Sequence, residues 1–106
     1  MTTESKLEKR IMQCVDDGLE FLGDSGKKAI YYYLEKNSGL KRKEIPKNPE
    51  IFMKELNFMF GEEGTDIIEK RIVQKLRMSF NLKQQFKITF SEAVTMIKAQ
   101  AKQLCQ

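Results

Sequence analysis

The sequence predicts an all-α fold: a single compact bundle of about five helices in orthogonal or irregular packing. Three observations carry that reading. Apolar residues recur every three or four positions in five segments, no segment sustains the two-residue alternation of a half-buried strand, and glycines and prolines stand between the segments. A chain of 106 residues has room for one core, so 1–106 reads as one helical domain without linker or repeat.

The first helix is expected over 3–22, where Leu7, Ile11, Cys14, Val15, Leu19 and Leu22 form one stripe and Gly23 stops it. Asp24 or Ser25 is expected to cap the second helix with a side-chain oxygen, ahead of Ala29, Ile30, Tyr33 and Leu34. Gly39 suits the left-handed residue just past its end, with Leu40 folding back as the apolar partner of that cap. Residues 41–47 read as a charged loop, because Pro46 disfavours helix at Ile45. Asn48 then caps a third helix with Pro49 at its first position, lined by Phe52, Met53, Leu56, Met59 and Phe60 and stopped at Gly61. Thr65 is expected to cap a fourth, built on Ile68, Ile72, Leu76 and Phe80 with Ile67 and Val73 widening the stripe. Thr89 and Glu92 fit a capping box that opens a fifth through Val94, Ile97, Ala101 and Leu104.

Composition removes several function classes. No apolar run approaches the ~20 residues of a membrane span, and the start of the chain carries no apolar signal segment, so a cytoplasmic protein is expected. There is no histidine, hence no usual metal ligand and no usual general base. Cys14 and Cys105 lack the spacing of a zinc site, and a lone disulfide between them is not expected in a reducing compartment. Gly23-Asp24-Ser25-Gly26 matches the tetrapeptide around a serine-protease nucleophile, but a serine hydroxyl needs a base to take its proton. The tetrapeptide therefore reads as a helix stop and start. Asp16-Asp17 and Glu62-Glu63 are adjacent pairs whose helical side chains diverge, which does not suit a paired acid and base. No phosphate loop, dinucleotide turn or calcium loop occurs. The expectation is a protein that is not an enzyme and holds no cofactor or metal.

Tyr31-Tyr32-Tyr33 cannot form one stacking surface, since neighbours on a helix point about 100° apart. Tyr33 is expected in the core, Tyr31 half-buried and Tyr32 exposed. Met53, Met59, Met78 and Met96 lie at or beside apolar stripes, where thioether chains fill irregular cores or make an adaptable docking groove.

Charge is asymmetric. Residues 1–69 hold eleven Lys or Arg against fourteen Asp or Glu, net −3; residues 70–106 hold eight against one, net +7. Lys41, Arg42, Lys43 and Lys47 in the loop and Lys70, Arg71, Lys75 and Arg77 on the fourth helix are the candidate contacts for phosphates or a partner. Reading DNA with the fourth helix meets an obstacle: Glu62, Glu63, Asp66 and Glu69 crowd the end that would approach the bases. Those acids instead suit the positive end of the helix dipole.

The succession from Phe21 through Gly23-Asp24-Ser25-Gly26 to Glu35, then Leu40-Lys41, Glu44-Ile45-Pro46, Pro49-Glu50-Ile51-Phe52, Phe60-Gly61-Glu62 and Ile67-Ile68-Glu69-Lys70, resembles the Nitrosopumilus output domain family. The resemblance covers about 15–80 and rests on caps and core positions. It implies a small archaeal helical domain acting downstream of a sensor or response regulator by binding something, with no catalytic residue to carry over; this chain would be a free-standing version. The expected function is therefore a non-enzymatic regulatory output module working through protein–protein contacts, with a partner protein or as a homodimer. The alternative is a nucleic-acid-binding regulator using the basic C-terminal third.

Overall fold

The computed structural model describes residues 3–82 and 87–104, with side chains over 6–82 and 87–100. It is all-α among these residues: α1 (Thr3–Gly18), a 3-10 turn (Glu20–Leu22), α2 (Gly23–Ser38), a second 3-10 turn (Arg42–Lys47), α3 (Pro49–Phe80) and α4 (Phe90–Leu104). Gly61 has φ +76° and ψ 177°, outside helical geometry, so α3 is two arms, 49–60 and 62–80. Five α-helical segments result, as the apolar spacing predicts. The expected side-chain positions of Ala101 and Leu104, and Cys105 with its relation to Cys14, lie outside the described residues.

The core gathers one stripe from each of the five α-helical segments. Ile11, Val15 and Leu19, Ile30 and Leu34, Phe52 and Leu56, Ile68, Ile72 and Leu76, and Phe90, Val94 and Ile97 are all buried. Each such side chain contributes roughly 1.5–3 kcal/mol by leaving water. Phe52 and Phe90 meet edge to face at the centre, ring centroids 5.5 Å apart. α1 lies so close to the far arm of α3 that a Cβ on Gly18 would stand 2.6 Å from Ile72 Cγ1 and 2.8 Å from its Cα.

Several local expectations are met. Gly39 is left-handed at φ +68°, its N–H donates to Glu35 O at 2.9 Å and that of Leu40 to Leu34 O at 3.3 Å, with Leu40 buried. Thr89 and Glu92 form the capping box: Thr89 N donates to Glu92 Oε1 at 2.9 Å and Glu92 N to Thr89 Oγ1 at 3.0 Å.

Others are corrected. The first helix ends at Gly18 rather than at Leu22, and the chain tightens into the 3-10 turn before Gly23 opens α2. Neither Asp24 nor Ser25 caps α2: Leu22 occupies the N-cap with no side-chain hydrogen bond. The expected loop is instead a 3-10 turn over Arg42–Lys47 with Ile45 and Pro46 buried, anchored by Lys41 N donating to Glu44 Oε1 at 3.1 Å. Asn48 makes no side-chain cap; its amide donates backwards to Glu44 O at 3.3 Å. Thr65 lies inside the far arm and is buried, because the helix resumes immediately after Gly61. Tyr33 is half-buried rather than core, and Phe60 and Ile67 are exposed rather than part of the buried stripe.

Candidate functional site

The basic residues divide into two groups on different faces of α1. Arg42 pairs with Asp16, whereas the far arm meets Cys14, whose thiol donates to Lys75 O at 3.7 Å. Residues two apart on a helix point about 160° away from each other, so Arg42 and Lys75 meet α1 on different sides.

Within the first group, Arg42 is committed to structure. Its guanidinium donates to Asp16 Oδ2, Tyr31 donates its hydroxyl to Asp16 Oδ1, and Arg42 lies 5.8 Å from the centre of the Tyr31 ring. One carboxylate thus joins α1, α2 and the second 3-10 turn. Burial, then the bond to Asp16, pushes the Tyr31 hydroxyl well above its ordinary range, while Asp16 raises Arg42 further. Lys41, Lys43 and Lys47 are exposed around it.

In the second group, Lys70 and Lys87 both reach Asp66 at 3.2 Å and hold its carboxyl below the usual carboxylate range. Glu69, two turns into the far arm, accepts from Phe90 N at 2.8 Å and so satisfies a free amide at the start of α4. Arg71 stacks on Phe21, its guanidinium carbon 4.3 Å from the ring centre. Lys70, Arg77 and Lys87 line a shallow groove of about 360 Å³ floored by Val73 and Ile88. Lys75 is exposed. Elsewhere Lys98 donates to Pro46 O at 2.9 Å and lies 3.9 Å from Glu8, tying α4 to α1 and the 3-10 turn.

Apolar side chains outside the core are the feature composition did not reveal. Phe58 is 74 % exposed, Met78 72 % and Ile67 53 %, with Tyr32, Phe21, Phe60 and Ile51 also exposed. Of the methionines singled out, Met53, Met59 and Met96 pack against the core and Met78 does not. A signal existed in the spacing. Ile51 and Phe58 stand seven apart, beside the Phe52–Leu56–Met59 stripe rather than on it, and a residue seven further along a helix returns to the same face.

Gly23-Asp24-Ser25-Gly26 is a helix junction with Ser25 exposed. No group of three or more Cys, Asp or Glu is arranged to hold a metal among the described residues, and no helix among them is long and apolar enough to cross a membrane. The chain matches no known family model, no curated protein and no solved structure.

Proposed function

We propose that this chain is a non-enzymatic regulatory output module of archaeal type that acts through protein–protein contacts. One observation carries the reading: large apolar side chains, Phe58, Ile67 and Met78 foremost, are exposed to water. Exposure on that scale favours a surface that is covered in use. The regulatory setting follows what the sequence resemblance over about 15–80 to the Nitrosopumilus output domain would imply. Nucleic-acid binding is the weaker reading, since Arg42 is engaged by Asp16, Lys70 by Asp66 and Arg71 by Phe21.

The test is site-specific photo-crosslinking in the native cells, with a benzophenone side chain in place of Phe58 or Ile67 and, as control, of exposed Lys28. Discrete protein adducts at the first two positions and none at the third are expected. Fluorescence titration of duplex and single-stranded DNA and RNA at low salt supplies the counter-test. Binding that falls steeply as salt rises, with no protein adducts, would overturn the proposal.

A further inference from the structure

The far arm of α3 carries a second stripe, about 120° around the helix from the buried Ile68, Ile72 and Leu76. Gly64, Ile67, Arg71, Gln74 and Met78 follow one another at three- and four-residue steps, the spacing by which one helix packs along another. None of them is buried. Phe60 belongs to the same stripe despite the break at Gly61: a Cβ on Gly64 would lie 3.0 Å from Phe60 Cβ, so the ring's root sits over that glycine. From Ile67 to Met78 the stripe runs about 16 Å at 1.5 Å per residue.

We infer that this face binds the same face of a second copy of the chain, antiparallel, about a two-fold axis at the level of Glu69. Charge selects both occupant and direction. Glu62 and Glu63 are exposed at the start of the arm, and Lys75 and Arg77 stand near its end. A parallel pairing sets like against like; the antiparallel one sets Glu63 against Arg77 of the second copy, twice by symmetry. In that register Ile67 packs on Arg71 of the second copy, Gly64 opposes Gln74 of the second copy, and Phe60 meets Met78 of the second copy. Arg71 suits an interfacial layer because its planar cation already lies against Phe21. Lys70 would meet its own symmetry mate near the axis, where Asp66 at 3.2 Å offsets each charge. One helix face per chain is a small interface, so the dimer is transient, with a dissociation constant on the order of micromolar or weaker.

This inference rests on the interaction-module reading and narrows it to one partner. Light scattering and sedimentation across concentration at low salt should show a monomer–dimer equilibrium that higher salt weakens. Ile67→Lys, and independently Met78→Lys, should weaken it at least about tenfold while circular dichroism shows a folded chain. The decisive arm is a mixture. Glu63→Arg and Arg77→Glu should each be monomeric alone, since each creates two like-charge contacts, and should form a heterodimer when mixed because both contacts become complementary. A wild type that stays monomeric at several hundred micromolar overturns the inference, as does a dimer indifferent to Ile67→Lys. Failure of the mixture to pair while the wild type dimerises overturns the register. A monomeric wild type that still crosslinks to a foreign protein removes self-pairing and leaves the interaction-module reading standing.

Discussion

At Leu22-Gly23 and at Phe60-Gly61 the chain makes the same move with different consequences. Both glycines have positive φ, +79° and +76°, with ψ near 170° and 177°, a region essentially confined to glycine. In both, a second glycine three residues later leaves room for the preceding side chain: Gly26 beneath Leu22 and Gly64 beneath Phe60. The junctions differ in what they turn. Leu22 is half-buried against the core and the chain there is fastened by the Asp16–Tyr31–Arg42 cluster. Phe60 remains exposed, and the arm that follows it is tied through Asp66 to Lys87 in an exposed pair. The same backbone device closes the core in one place and presents a ring to solvent in the other.

The largest effect should come from the shared requirement. Gly23→Ala and Gly61→Ala meet no neighbouring atom within 4 Å, so their cost is backbone strain alone, about 2–3 kcal/mol each. Chemical denaturation should show the two costs to be alike; an alanine tolerated at one site breaks the comparison. Next is Asp16→Ala, which leaves the Tyr31 hydroxyl and Arg42 without their acceptor and should lose about 2 kcal/mol by the same measurement. Asp66→Ala, in solvent, should leave the melting temperature nearly unchanged.

The second glycines should then differ in sign. A Cβ at Gly26 falls 2.8 Å from Leu22 Cβ, and Leu22 is held by the core, so Gly26→Ala should destabilise by about 1 kcal/mol. At Gly64 the atom met is Phe60 Cβ at 3.0 Å, which needs to shift by only a few tenths of an ångström in a residue that the core does not hold. Alanine's helix preference should then prevail, raising the melting temperature by a few degrees. Equal shifts at the two sites would show that the burial of the preceding residue does not matter.

Smallest is the response to pH, and it runs in opposite directions. Tyr31 has its folded value raised, so its contribution is whole below its ordinary value of 10.0 and fades as pH rises beyond it. Asp66 has its folded value lowered, so its contribution is present above 3.8 and fades as pH falls through that range. Denaturation midpoints compared between the wild type and Tyr31→Phe at alkaline pH, and between the wild type and Asp66→Asn at acid pH, would isolate each slope.

Much of this architecture is legible in the sequence because helix periodicity and cap chemistry are local. Ile68, Ile72 and Leu76 declare a buried stripe, and Thr89 with Glu92 declares a helix start, without reference to the rest of the chain. The end of α1 is not legible in that way. Leu19 and Leu22 continue the period past Gly18, and only the approach of Ile72, far along the chain, shows why a residue without a side chain stands there. Thr65 looks like a cap since glycines flank the acidic pair before it, yet Gly61 alone breaks the helix and it has resumed by Thr65. The candidate site was legible in part. The basic residues are easily listed, but their pairing with Asp16, Asp66 and Phe21 depends on tertiary contacts. Ile67 and Met78 flank apolar stripes closely enough for periodicity to draw them inward.

Cys14 gives the packing of α1 on α3 a chemical clock. Its sulfur is buried, raised in pKa by that burial, and hydrogen-bonded to a backbone carbonyl across the helix pair. An alkylating reagent needs the thiolate in solvent, so it must wait for the two helices to part. In a chain carrying Cys105→Ser, the labelling rate at fixed pH therefore counts openings of that seam, and any ligand or assembly that clamps the helices together would announce itself as a slower count.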